Sequence, residues 1–187
     1  RTAWLEHVWL LDHGRVTAED QKRQEHYRSE QIREGLKRGA GSLSEFLEKL
    51  DLKVDLNPAE AADHDRLAQL SMRTNQFNTT TLRLTPQEVA GYATTPGLSA
   101  HVARVRDRFG DYGLVGAMLA RAEGQVFRVD GMFLSCRALG RGVEFRMASY
   151  LASRAIEALC REIVFPVKTT ERNEPARAFL ARLGELC

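Results

Sequence analysis

The run Gln125-Val126-Phe127-Arg128-Val129-Asp130-Gly131-Met132-Phe133-Leu134-Ser135-Cys136 and the segment that follows it, Arg137-Ala138-Leu139-Gly140-Arg141-Gly142-Val143, carry the architecture of this chain. The first run is dense in β-branched and aromatic strand formers. Downstream, between Glu144 and Arg161, Phe145, Ala148, Leu151, Ala152, Ala155 and Leu159 recur at helical spacing. The order is therefore strand, glycine turn, helix. Gly140 and Gly142 let the backbone turn tightly, so several N–H groups converge on one concavity at a helix start. The helix N-terminus adds its partial positive charge, and the whole reads as a grip for an anion such as phosphate. Two glycines alone would also fit a plain strand-to-helix connection, so the surrounding pattern decides.

Upstream, Leu52, Val54 and Leu56 alternate with Lys53, Asp55 and Asn57, a half-buried strand ended by Pro58. A helix is predicted from about Ala62 to Thr74, and Thr85-Pro86-Gln87-Glu88 launches another with proline at its first position and Glu three residues after the cap. Ser99 to Arg108 alternates through Val102 and Val105, Asp111 and Gly113 mark a turn, and Leu114 to Ala120 is apolar. Glu123-Gly124 then turns into the run quoted above, which makes an antiparallel meander of three strands. After the glycine loop and its helix come a strand, Ile163-Val164-Phe165-Pro166-Val167, and a helix from about Glu174 to Leu183. Before residue 50 the pattern is helical throughout: an apolar stripe of Trp4, Leu5, Val8, Trp9 and Leu11, a polar helix opened by Thr17-Ala18-Glu19-Asp20, and a short helix begun by Ser42-Leu43-Ser44-Glu45. The expected fold is α/β (α+β), a mixed sheet flanked by helices, with an N-terminal helical extension over 1–50 and a domain over 51–187.

The chain has 187 residues, enough for one domain with an appended element and a real core. Its 27 basic and 25 acidic residues are interleaved, so no single-signed field recommends nucleic acid or a membrane as partner. Cys136, Cys160 and Cys187 show no CxxC spacing, which argues against a zinc site or a disulfide framework and points to a reducing cytoplasm. His7, His13, His26, His64 and His101 are dispersed without metal-ligand spacing, so solvated or capping roles are expected and no metal in this segment. No apolar run is long enough to span a membrane. The chain opens on Arg1 inside an apparent helix, and an excised part of a longer protein is expected.

The element order, read with Arg137-x-x-Gly140-x-Gly142, resembles the GNAT acyltransferase superfamily, whose loop pattern is [RQ]-x-x-G-x-[GA]. Asn173 with Ala176 and Gly184 resembles that family's second segment, and the resemblance covers about residues 52 to 184. It implies that Arg137, Leu139, Gly140, Arg141, Gly142, Val143 and Asn173 bind coenzyme A or a carrier-protein phosphopantetheine thioester. It also implies that the strand before the loop pairs with the pantetheine arm while the next strand splays away. Where the family commonly places a proton-donating tyrosine, seven residues after the asparagine, this chain has Leu180.

Three longer segments resemble the FkbH-like proteins: Arg73-Thr74-Asn75-Gln76-Phe77-Asn78-Thr79-Thr80, Asp107-Arg108-Phe109-Gly110-Asp111-Tyr112-Gly113, and Leu134 through Glu144. This likeness implies an acyltransferase-like domain behind an upstream haloacid-dehalogenase-like domain, passing a glyceryl unit to an acyl carrier protein for polyketide assembly. The phosphatase-like motif DxDx[TV] is not in this chain, so the chain would hold the second half, with its last strands lacking.

Cys136, one residue before the loop, is placed for a thiolate to meet a thioester, with helix dipole and Arg137 beside it. The plainer reading, a small buried apolar residue, is favoured by its place at a strand end. Asn75, Gln76, Asn78, Thr79 and Thr80 form an uncharged polar cluster between two helices, suited either to a hydroxylated acyl group or to helix and turn caps. The family likeness tips this cluster towards substrate binding. Asp111 is a proton-carrier candidate or an ordinary turn former, and Tyr112 is a stand-in for the missing acid. The rival readings of the domain are a catalytically inactive docking module for the carrier protein and a conventional acetyl-CoA-dependent N- or O-acetyltransferase.

Overall fold

The computed structural model describes residues 29, 31–36 and 38–185. The expectations for residues 2–12 and for the cap at Thr17-Ala18-Glu19-Asp20 lie outside the described residues. The chain divides into two units, one of residues 1–51 with 108–110 and one of residues 52–107 with 111–187. In the first, residues 31–36 are helical and α1 spans Leu43–Leu50. Ser42 caps α1 by accepting the Glu45 N–H at 3.2 Å, and the Glu45 carboxylate takes the Gly41 N–H at 2.8 Å.

The second unit is built on a five-stranded sheet in the order β1-β2-β3-β4-β5, with β1 Lys53–Pro58, β2 Leu98–Asp107, β3 Gly110–Glu123, β4 Val126–Leu134 and β5 Glu162–Val164. β1 with β2 and β3 with β4 are antiparallel, whereas β4 and β5 are parallel. Between β1 and β2 lie α2 (His64–Arg73) and α3 (Pro86–Thr94); α4 (Val143–Glu157) precedes β5 and α5 (Glu174–Gly184) follows it. The capping box read at Thr85 and Glu88 is present, with Glu88 also accepting the Thr85 N–H at 2.7 Å.

Side chains from the two faces of the sheet form two cores. Val102, Leu114, Leu119 and Phe133 pack with Leu67, Leu70 and Val89 from α2 and α3. On the other side Val105, Val129, Met132 and Leu134 pack with Met147, Leu151 and Phe179 from α4 and α5. Strict alternation would send Val129 and Met132 to opposite faces. A bulge at Asp130 resolves this: Leu119 pairs with Gly131 and Ala120 with Val129, leaving Asp130 as the additional residue. Its carboxylate accepts from Arg121 at 2.7 and 2.8 Å and from the Tyr92 hydroxyl at 2.8 Å. Burial, and then this carboxylate, push the Tyr92 hydroxyl up to about 12.

Several boundaries differ from the sequence reading. β3 runs through Asp111 and Gly113, where a turn was expected, because Gly113 at φ +66° and the Asp111 side chain absorb the irregularity within the strand. α4 ends at Glu157 rather than Arg161, and Leu159 follows at φ +59°, 85% exposed. The strand expected over 163–167 shortens to Glu162–Val164, since the chain leaves β4 after Arg128↔Val164. His101, expected solvated, is 5% exposed on β2 with its Nδ1 3.1 Å from the Tyr150 hydroxyl.

Candidate functional site

β4 pairs with β5 at only three positions, so its outer edge diverges from β5 beyond Arg128. The chain itself fills that divergence. Leu134 donates its N–H to Phe77 O at 3.0 Å, Thr79 N–H donates to Met132 O at 3.2 Å, and Thr79 O accepts from Lys168 N–H at 2.8 Å. Thr79 Oγ1 also accepts the Met132 N–H at 3.1 Å, and the Thr80 hydroxyl donates to Asp130 O at 2.7 Å. Phe77–Thr80 therefore acts as a strand inserted between β4 and the segment after β5. An arm laid along β4 at Met132 and Leu134, as the resemblance implies, meets backbone groups already bonded.

The glycine loop leaves β4 through a short 3-10 turn, Cys136–Ala138, closed by Ala138 N–H to Ser135 O and Leu139 N–H to Cys136 O. Gly140 and Gly142 adopt φ +70° and +75°, with open space where a Cβ would stand, so glycine is needed for the backbone conformation and not for close packing. Val143, fully buried, anchors the first turn of α4, whose N–H groups lack intrahelical partners. This geometry fits a phosphate at the loop amides. One of those N–H groups, that of Glu144, is turned to its own carboxylate. Burial raises this carboxyl above its usual range; its own N–H and Arg182 pull the other way, and its Oε2 has no hydrogen-bond partner.

Arg137 and Arg141 converge on Tyr112 rather than on the loop amides. The Arg137 guanidinium donates to Tyr112 O, and Arg141 donates to the Tyr112 hydroxyl while lying 5.0 Å from the ring centre. The hydroxyl itself donates to Asp107 at 2.7 Å, and Tyr112 is 4% exposed. Leu139 is half-buried against the α4 side of the core. Asp111, exposed on β3, accepts the Gly113 N–H at 2.6 Å, a local turn bond.

A cavity of about 430 Å³ opens where α2 meets the end of β4. Its walls are Arg66, Leu70 and Arg73 from one face of α2, Thr74, Asn75 and Gln76 beyond it, and Leu134, Ser135, Cys136 and Arg137 from the loop. The structure thus brings together four of the residues singled out in the sequence, Asn75, Gln76, Cys136 and Arg137. The Cys136 thiol is exposed, not buried in a strand, because the chain has already left β4 for the 3-10 turn. Asn78, Thr79 and Thr80 are not in this cavity, and neither are Asp111 and Tyr112. Asn173 is fully buried at the start of α5, its Nδ2 donating to Asn78 O and Lys168 O at 3.1 and 2.8 Å and its Oδ1 accepting from Thr170 N–H at 2.9 Å.

Arg66, Arg73 and Arg83 carry no role in the sequence reading. Arg66, Leu70 and Arg73 at i, i+4 and i+7 were visible as one helical face. Arg83 was not: its guanidinium donates to Ser71 O, Thr74 O and Asn75 Oδ1, tying the end of α2 to the Asn75 wall across the intervening segment. Among the described residues no group of three or more His, Cys, Asp or Glu is placed to hold a metal, and no helix is long and apolar enough to cross a membrane.

No protein-family model and no curated protein matches the sequence. Solved structures do match the fold. A ribosomal-protein-alanine N-acetyltransferase from Brucella melitensis biovar Abortus 2308 is 18% identical over 70% of this chain and 90% of its own, with a TM-score of 0.55. An aminoglycoside N-acetyltransferase in complex with CoA is 13% identical over 71% and 88%, with a TM-score of 0.53. The ribosomal-protein-S18-alanine N-acetyltransferase from Escherichia coli is 8% identical over 71% and 77%, with a TM-score of 0.52. The mixed five-stranded sheet with helices on both faces is the GNAT-like fold of these enzymes.

Proposed function

We propose that the domain is an acyl-transfer module that accepts an acyl group from a phosphopantetheine thioester onto Cys136. Likeness to FkbH-like proteins supplies the finer reading, a glyceryl unit, an acyl carrier protein as donor or acceptor and an adjoining haloacid-dehalogenase-like domain, and the scattered cysteines supply the cytoplasmic setting. The observation that carries the proposal is the single cavity holding the exposed Cys136 thiol, Arg137 and the amides of Asn75 and Gln76. In the step proposed, Cys136 Sγ bonds to the thioester carbonyl carbon and the carbon–sulfur bond to the arm breaks. The arm leaves as a thiol with the proton that Cys136 gave up. Guanidinium groups of the cavity oppose the negative charge that develops on the carbonyl oxygen, and Asn75 and Gln76 hydrogen-bond the hydroxyls of the acyl group. The loop amides from Gly140 to Val143 would hold the phosphate of the arm.

Because Phe77–Thr80 already bonds the outer edge of β4, the arm would bring its thioester to Cys136 through the cavity and not along the strand. Incubation with glyceryl-loaded carrier protein, followed by intact-mass measurement, should add one glyceryl unit to the native chain and none to Cys136→Ala. Equal labelling of both would remove Cys136 from the reaction. Calorimetry with coenzyme A at millimolar concentration checks the acetyltransferase alternative, and tight binding there would favour it.

Leu180 supports a second reading. It is half-buried against the core at the position where the family places an acid, so a docking module without turnover is also in keeping with the site. Such a module should bind unloaded apo carrier protein in a titration and leave the loaded carrier chemically unchanged.

A further inference from the structure

Gly140 and Gly142, at the middle of the glycine loop, stand in open space, and glycine brings more backbone freedom than any other residue. Arg141, between them, carries the one side chain of that stretch. Its guanidinium is turned back on Tyr112, donating to the hydroxyl and lying 5.0 Å from the ring centre. Tyr112 in turn is fixed by burial: it is 4% exposed, within the core that holds Val105, Val143 and Met147. Its hydroxyl donates at 2.7 Å to Asp107, the last residue of β2. The hydroxyl therefore donates to an anion and accepts from a cation, and both bonds are charge-assisted. The Tyr112 carbonyl also accepts from Arg137 at 2.5 Å, where the loop begins.

An arginine beside a phosphate-binding loop is ordinarily read as a ligand of the phosphate. Here the guanidinium lies on the ring of a core tyrosine and on a hydroxyl backed by a carboxylate. Amides that must converge on one anion need their backbone held in that shape beforehand, because a loop free to wander is ordered at the expense of affinity. Clasping Arg141 sets the course of the chain between two left-handed glycines. We propose that Tyr112, backed by Asp107, is a positioning residue of the phosphate site: it clasps Arg141, holds the loop in the shape that receives the anion, and leaves the contact with phosphate to the amides. The proposal rests on the loop amides being the phosphate site, and it reverses the role that the family resemblance implies for Arg141. It also gives Tyr112 a task that involves no proton transfer.

Calorimetry with inorganic phosphate tests this on the native chain and three variants. Tyr112→Phe keeps the ring and the carbonyl and removes the hydroxyl, and Asp107→Ala removes the acceptor behind it; each should weaken phosphate binding about fivefold to tenfold. Asp107→Asn keeps an oxygen for the hydroxyl and should bind within about twofold of the native chain. Were Arg141 a ligand of the phosphate, Tyr112→Phe would release it, and phosphate would bind as tightly as before or more tightly. That outcome, or equal weakening by Asp107→Asn and Asp107→Ala, would overturn the proposal, and the two Asp107 variants decide it even if Tyr112→Phe fails to fold. A native chain that binds no phosphate would overturn the loop reading and the proposal with it. Labelling of Cys136 separates positioning from a general loss of structure. With a glyceryl thioester of phosphopantetheine, Tyr112→Phe should raise the half-saturating concentration about fivefold to tenfold and leave the saturating rate unchanged. With the thioester of pantetheine lacking the phosphate it should change neither, and equal effects on both thioesters would reject the positioning role.

Discussion

Asn173 is fully buried, and its side chain joins Thr170, Asn78 and Lys168. Replacing it with alanine leaves the buried Asn78 carbonyl, the Lys168 carbonyl and the Thr170 N–H without this partner, which should cost about 3 kcal/mol in urea unfolding. A variant as stable as the parent would return Asn173 to the ligand-binding role that the family resemblance implies. Thr81 holds a β-branched side chain at φ +60°. Relief of that strain outweighs the glycine's extra freedom in the unfolded chain, so Thr81→Gly should raise the urea-unfolding stability by about 1 kcal/mol, and an unchanged or lower midpoint would reject the assignment. His101 sets a pH dependence. Burial, helped by Arg154, lowers its pKa from 6.5 to about 4, so between those values the unfolded chain binds a proton that the native chain refuses. The stability conferred by neutral His101 is present above pH 6.5 and is lost as pH falls towards 4, on the order of 3 kcal/mol. Glu144, raised by burial, acts with the opposite sign and gains from acid. Urea midpoints measured from pH 7 to 4.5 should fall less for His101→Phe than for the native chain, and parallel curves would reject the assignment.

The glycine loop was legible because its information is local: two glycines at fixed spacing and a helix pattern beyond them set positive φ at Gly140 and Gly142. Gly142→Ala should lose about 1 kcal/mol from the left-handed backbone alone. It should also weaken inorganic phosphate binding at the loop, measured by calorimetry; unchanged phosphate affinity would mean that the amides are not the anion site. The Thr85 cap and the Ser42 cap were likewise readable from spacings of three residues. The inserted segment Phe77–Thr80 was not. Its partners Met132 and Leu134 lie more than fifty positions away, and nothing in Asn78-Thr79-Thr80 announces a strand, because its backbone bonds are made to β4 and Lys168 and not to a neighbouring turn. The bulge at Asp130 escaped for a related reason: an additional residue in one strand shows only against its partner.

Both cores of the second unit are faces of the same strands, with Leu67 in one and Phe179 in the other. Loosening either should lower one shared transition. Leu67→Ala and Phe179→Ala are each expected to cost about 3 kcal/mol and to shift a single urea curve without splitting it; two resolved transitions would show that the sheet does not couple them. By itself the sequence determined the kinds of elements, their order and the glycine loop, since periodicity, caps and turn residues act over a few positions. Tertiary structure alone decided which polar residues serve the cavity and which serve the scaffold. Asn75 and Gln76 reach the cavity while their neighbours Asn78, Thr79 and Thr80 bond the scaffold, and Cys136 is exposed two residues past a fully buried strand end. A side chain's role in each case depends on which distant backbone groups are left for it to satisfy, and that is settled only when the sheet is assembled.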